Sequence, residues 1–380
     1  MAYSAAALSS VETSAFTNDK PMLVANNSGG AVDAHWTFTG LATSDSKGDA
    51  NFPSRRAFDY IGNLITKPVA SGGTVTAASQ ASTCVVGCTG HGFANGDKVF
   101  FLGVGGMDDL DYETVDDNIY EVANKSDNAF ELAGTNSTGF DAFTSGGTVS
   151  GVKWYHLTFQ VAIEFDTLLI TGHNFNSGGA KDVQVEIANN SGFSSGKIEI
   201  YKYTVSGTTD NRILVTNLNS AGGGSTYAPS GTAQRYSALK YVRVRIIDDM
   251  PSLGEIFLGR RYQLEHNPNL AWNNKDIKSD VQDFASASGL IQRYVYYKGQ
   301  AVRTVELSAA SSTEIAAVED WFTATQYGTR PFAFIETPSS DPSARLMLLD
   351  SPRLNFALVG PFERRLSFGM TEQPPFLATE

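Results

Sequence analysis

One five-residue string occurs twice in the chain, as Ser71-Gly-Gly-Thr-Val75 and as Ser145-Gly-Gly-Thr-Val149. Ser-Gly-Gly is turn chemistry and Thr-Val opens a strand, so the two copies predict matching points of entry and exit for whatever lies between them. A chance recurrence of common residue types is the competing reading. Charge favours the first. Between Gly73 and Gly151 there are eleven acidic residues against only Lys98 and Lys125, a net of −9 in a chain whose whole formal charge is −12. A shift this local marks a boundary and predicts an inserted module over residues 73–151.

Within the insert, Lys98-Val-Phe-Phe-Leu102, Asn118-Ile-Tyr-Glu-Val122 and Ala129-Phe-Glu-Leu132 read as short strands, separated by Gly92, Asn95-Gly96, Gly103, Gly105-Gly106 and Gly134. This is the pattern of a small all-β unit. The run His91-Gly-Phe-Ala-Asn-Gly-Asp-Lys-Val99, with Gly103-Val-Gly-Gly-Met107, Tyr120-Glu-Val122, Asn128-Ala-Phe-Glu-Leu132 and the closing Ser145–Val149 copy, resembles the β-module named after the FCCH domain of ubiquitin-activating enzyme. That module is often found in bacteriophage tail and virion proteins. The stretch Asp108–Asp117 departs from it, being longer and far more acidic than the short turn the family has there.

The host also has a reading on either side of the insert. Trp154–Phe159, Phe165–Gly172, Val183–Ile187, Lys240–Ile246 and Gly254–Gly259 read as strands, and alternation in Val183–Ile187 and Tyr241–Ile246 puts one face inward and the other toward water, as in an antiparallel sheet. With Asn51-Phe-Pro-Ser-Arg-Arg-Ala-Phe-Asp59 ahead of them, this order resembles the galactose-binding-like jelly roll of discoidin-type modules. The expected host is therefore discontinuous, residues 1–72 and 152–260, with balanced charge. A third unit, 261–380, shows further strands around one helix at about 312–326. Ser311-x-x-Glu314 is a capping box, Ile315, Val318 and Phe322 share a face, and Gly328 is the expected C′ residue. Laid across a sheet, that helix buries Trp321 or Phe322, not both equally. Its element order is similar to the tail-tube and distal-tail fold. The expected class is thus mainly β: a jelly roll interrupted by a small all-β module, then a tail-tube-like β-sandwich with one helix.

Side chains with chemical potential are few. Gly192-Phe-Ser-Ser-Gly196 satisfies G-x-S-x-G, yet it sits between two strand-like runs rather than between a strand and a helix, so it predicts a turn; an esterase using Ser194 is the third functional reading. Cys84, Cys88 and His91 lack the second ligand pair of a structural zinc site. The acidic run 108–117 lacks the offsets of a calcium loop and reads as a solvated loop. No catalytic residue, metal or cofactor is expected. The galactose-binding resemblance implies a sugar site in loops at one end of the jelly roll, with Trp36, Arg55, Arg56, His173, Asn174 and Asn176 as its candidates; core packing and a hydrogen-bonded turn are the competing readings for Trp36 and for the Gly-His-Asn segment.

Function classes narrow accordingly. An acidic excess disfavours a phosphate-binding surface for nucleic acid. The opening MAYSAAALSSVETS carries no basic segment followed by an apolar run, and no stretch has the roughly 20 apolar residues of a membrane span, so neither export nor membrane insertion is expected. The module combination resembles tailed-bacteriophage distal-tail or tail-tip (minor tail) proteins. It implies a non-enzymatic virion protein made in the host cytoplasm, partnered by tail-tube and hub proteins in a homo-oligomeric ring, a hexamer among the candidate orders, with a host-surface glycan as a further candidate partner. The alternative is a carbohydrate-binding adhesin without a role in tail assembly.

Overall fold

The computed structural model describes residues 21–26, 31–40, 47–58, 65–112, 118–174, 181–195, 197–205, 212–215, 236–247, 250–264, 276–285, 291–337, 341–358 and 364–373. Ahead of the insert run β1 (Met22–Ala25) and β2 (Ala31–Thr37); the insert holds β3 (Gly73–Thr74), β4 (Ala77–Ala78), β5 (Val85–Gly87), β6 (Lys98–Leu102), β7 (Tyr120–Ala123), β8 (Ala129–Leu132) and β9 (Thr148–Gly151). After it come β10 (Lys153–Phe165), β11 (Thr167–Thr171), β12 (Lys181–Ala188), β13 (Ile198–Val205), β14 (Arg212–Val215), β15 (Tyr236–Ile247) and β16 (Glu255–Gln263). The last stretch carries β17 (Asp276–Ala285), β18 (Ile291–Ala310), helix α1 (Ser312–Ala324), β19 (Phe332–Thr337), β20 (Asp341–Leu349), β21 (Asn355–Leu358) and β22 (Arg364–Glu372). The fold is mainly β, as expected.

Three antiparallel sheets result. β3–β9 form a seven-stranded sheet, in the order β3-β9-β6-β7-β8-β5-β4. The repeated string explains its neck: Gly73 faces Val149 and Thr74 faces Thr148, so the two copies pair with each other. Gly72 precedes the pair at φ +98°, and a Cβ there would stand 1.9 Å from the Val149 carbonyl oxygen, so only glycine fits this approach.

A five-stranded sheet, β13-β12-β15-β10-β2, lies over β11 and β16 of a ten-stranded sheet, and Trp36, Tyr155, Phe165, Val185, Val244 and Leu258 fill the space between them. This is a β-sandwich, with the predicted inward face of β12 and β15 in its core. The other face differs from expectation. Gln184, Glu186, Arg243 and Arg245, predicted to meet water, are buried.

The ten-stranded sheet runs β14-β11-β16-β1-β19-β20-β22-β18-β17, with β21 also on β22. β1 is its hinge point: Leu23 faces Tyr262 of β16 on one side and Phe334 of β19 on the other. Beneath β19–β22 lies α1. Its Ser311 cap accepts a hydrogen bond from the Glu314 backbone N–H at 3.1 Å, as the capping box predicts. The helix stops earlier than Gly328 would suggest, at cap residue Thr325, because Gln326, Tyr327 and Gly328 all take positive φ and turn the chain toward β19. Trp321 is fully buried, its ring 4.7 Å from Phe332 and 5.3 Å from Phe368, while Phe322 is only half-buried. A Trp321→Ala substitution is therefore expected to cost about 3–5 kcal/mol in a urea unfolding titration, and Phe322→Ala clearly less.

Candidate functional site

The sandwich's outer face carries a continuous polar row. Register aligns Glu186 of β12, Arg243 of β15, His156 of β10 and His35 of β2 across four adjacent strands, and period-two alternation turns all four away from the core. The row beside it holds Gln184, Arg245, Trp154 and Thr37. Every one of these side chains is buried.

Electrostatics within the row are sharply divided. Glu186 receives Arg243 through Nε at 2.6 Å and Nη2 at 2.5 Å, and Lys197 at 3.0 Å. Arg243 Nη1 also donates to the Gly40 carbonyl at 2.5 Å, and its guanidinium lies between two rings, 4.2 Å from Trp154 and 4.3 Å from Phe193. Burial pulls Arg243 below its ordinary value, and Glu186 opposes that shift. Next to this satisfied pair, His156 and His35 stack at 5.1 Å with an interplanar angle of 17°. Neither nitrogen of His156 has a hydrogen-bond partner among the described residues. His35 Nδ1 is 3.3 Å from Asp33 Oδ2, close enough to feel the charge but without the alignment of a hydrogen bond. Alternation could have located this row in the sequence; nothing in it signals that the face is covered.

The predicted sugar-site residues do not converge on this row. Trp36 is fully buried in the sandwich core and donates to Thr66 Oγ1 at 2.8 Å, so its ring offers no stacking surface to a ligand. Arg55 is exposed on a short 3-10 turn, Ser54–Phe58; Arg56 beside it is half-buried, 5.9 Å from the Phe52 ring. His173 is buried just past β11. Asn174 is a clamp rather than a free donor: its Nδ2 donates to the Met250 carbonyl at 2.8 Å and its Oδ1 accepts from the Ser252 N–H at 2.7 Å. Asn176 lies outside the described residues. Met250, held by that clamp, lines a cleft of about 410 Å³ at the neck of the insert with Ser71, Gly72, His91, Gly92 and Ser150. Among the described residues its lining is mostly glycine and small side chains and includes no Asp, Glu, Lys or Arg.

The other motifs resolve structurally. Ser194 is in the turn joining β12 to β13, where Asn190 Oδ1 accepts its N–H at 3.1 Å and its hydroxyl at 3.4 Å; a strand follows, not a helix. Cys84 and Cys88 are free thiols in the core of the insert, and burial raises both above the usual thiol value. His91 bonds at both nitrogens, to the Ser126 carbonyl at 2.8 Å and from the Phe93 N–H at 3.0 Å. Asp111 Oδ2 accepts the Val104 N–H at 3.1 Å, and no group of three potential metal ligands occurs among the described residues. Glu113, Asp116 and Asp117 of the acidic run lie outside them.

Comparison with known proteins adds one clear result. Residues 80–153 match the model of the ubiquitin-activating enzyme E1 FCCH domain, which the sequence of the insert resembles. No curated protein matches the chain. Among solved structures, a mutant Ruminococcus gnavus GH29 fucosidase in complex with fucose aligns with 29% of this chain and 18% of its own, at 12% identity and a TM-score of 0.19. So low a score supports no argument about fold or ligand.

The Glu186–Arg243 pair makes a direct prediction. Glu186→Gln leaves a buried guanidinium without its counter-charge and is expected to cost about 3–5 kcal/mol in urea unfolding. Glu186→Leu combined with Arg243→Met is expected to recover most of that loss.

Proposed function

We propose that this chain is a structural, non-enzymatic virion protein of a tailed bacteriophage, a distal-tail or tail-tip component that assembles head to tail into a ring. The FCCH-type insert is the first support, since such modules recur in virion proteins. The observation that carries the assembly reading is an arm at one end of the ten-stranded sheet. Strand β18 is 20 residues long, but β22 pairs with it only from Val302 onward. From Ile291 to Gln300 its partner is β17 alone among the described residues, and β17 in turn pairs only with β18.

An arm of ten residues reaches about 33 Å. A two-stranded ribbon of this kind is marginal in water and offers unpaired backbone N–H and C=O groups along its edge. The occupant that suits it is a second copy of this chain, because the same sheet ends, among the described residues, in another one-sided strand, β14, at its far side. An edge at each end makes a heterologous contact, and heterologous contacts close into rings when the rotation permits. Tail-tube and hub proteins are the partners of that ring, and the insert faces outward toward host or tail surfaces. The adhesin reading gains nothing from the buried Trp36 and the clamped Asn174.

Light scattering coupled to size exclusion is expected to find the full chain at an integer multiple of its own mass. Replacing residues 278–300 by an Asn-Gly turn is expected to leave a monomer with unchanged melting temperature. A wild-type chain that stays monomeric both alone and with tail-tube and hub proteins would sink the proposal.

A further inference from the structure

The outer row contains a group the assembly reading does not use. His156 is 1% exposed, yet neither of its nitrogens finds a partner among the described residues, whereas buried polar groups are nearly always hydrogen-bonded. Over it sits Phe193, its ring edge-on to the imidazole at 6.0 Å, itself buried and covering Arg243. Phe193 holds this position at φ +50°, a backbone region costly for an aromatic residue. Asn190 closes the loop on itself, its Oδ1 accepting the Ser194 N–H and its Nδ2 donating to the Ser195 carbonyl at 2.7 Å, and the Lys197–Glu186 ion pair, in which Lys197 is 51% exposed, ties the end of the loop to β12.

We propose that the loop Asn189–Ser195 is a proton-sensitive latch. It closes over a neutral His156, and protonation of that imidazole in acid releases Phe193 and uncovers the polar face.

The surrounding charges explain why His156 is the sensor. From β15 it faces Arg243, with Arg245 in the next row; from β2 it faces His35. On β12 the nearest carboxylate, Glu186, is already shared between Arg243 and Lys197. Asp33 serves His35 and is 62% exposed. A proton on His156 therefore meets cationic neighbours and no carboxylate of its own. Burial above all, then His35 and Arg243, hold it down at about 2 while the loop is closed. With the loop open it returns toward 6.5, its ordinary value. Because the closed-state value is the lower one, closure is fully favoured above about pH 6.5 and is progressively lost as pH falls from there toward 2. Between neutrality and pH 4.5 the opening equilibrium rises by a factor on the order of 100.

Hydrogen exchange on the full chain at pH 7 and pH 4.5, corrected for the intrinsic chemical rate, reads this through the Phe193 and Ser194 amides, both bonded to Asn190 in the closed loop. Wild type is expected to lose protection there by about two orders of magnitude in acid, while β12 and β15 keep theirs and His156→Phe changes little. The latch is refuted by unchanged loop protection in wild type, by an equal loss in His156→Phe, or by loss in β12 and β15 together with the loop. Phe193→Ala supplies a variant that leaves the imidazole in place. It is expected to expose the loop amides already at pH 7, and full protection of them at pH 7 would also refute the latch.

Discussion

Four residues, Met22–Ala25, hold the ten-stranded sheet in one piece. Strand β1 hydrogen-bonds to β16 along one edge and to β19 along the other, so the sandwich wall and the C-terminal strands share a continuous ladder. Leu23, Val24 and Ala25 are fully buried, and an unpaired backbone N–H or C=O there would go without water as well as without a partner. Its side chains serve the same end, since Leu23 and Ala25 join the core that α1 covers. The approach to β16 is close: a Cβ on Gly259 would lie 2.8 Å from the Ala25 carbonyl oxygen, so the ladder depends on a glycine opposite it.

The insert is fastened to its host at more than its neck. Phe38, just past β2, belongs to the insert's own core, and its carbonyl accepts the Lys98 N–H at 2.7 Å. Lys47 meets the buried Asp97 at 3.0 Å, and Tyr112 donates to Asp182 of β12 at 2.7 Å. A small apolar cluster of Phe100, Tyr112, Val152, Trp154 and Ile247 spans the junction, with the buried Lys153 ammonium 5.8 Å from the Phe100 ring. Trp154 belongs both to this cluster and to the Arg243 stack, so the insert packs against the row beside Arg243. The insert and its host thus share hydrogen bonds, an ion pair and apolar packing as well as the neck.

Much of this was legible in the sequence. The repeated Ser-Gly-Gly-Thr-Val string marked two strands that do pair; the capping box located α1; alternation in Val183–Ile187 and Tyr241–Ile246 identified the core face of the sandwich. The candidate sugar residues were less so. Trp36 was named for its ring chemistry, but ring chemistry is indifferent to whether the ring lies in a core, and Asn174 uses its amide to pin a neighbouring loop. Glu186 and Arg243 occupy positions that alternation assigns to solvent, and no local pattern singles out His35.

Local pattern by itself determined the mainly β class, the acidic insert and the capped helix, since these follow from turn residues, period-two alternation and capping, all written within a few residues of one another. Tertiary structure alone decided that β1 joins two distant strands, that β18 runs on past β22, and that Phe193 lies over Arg243 and over a histidine with no hydrogen-bond partner among the described residues. Alternation says which side chains share a face; only contacts between residues far apart in the chain decide what, if anything, lies over that face.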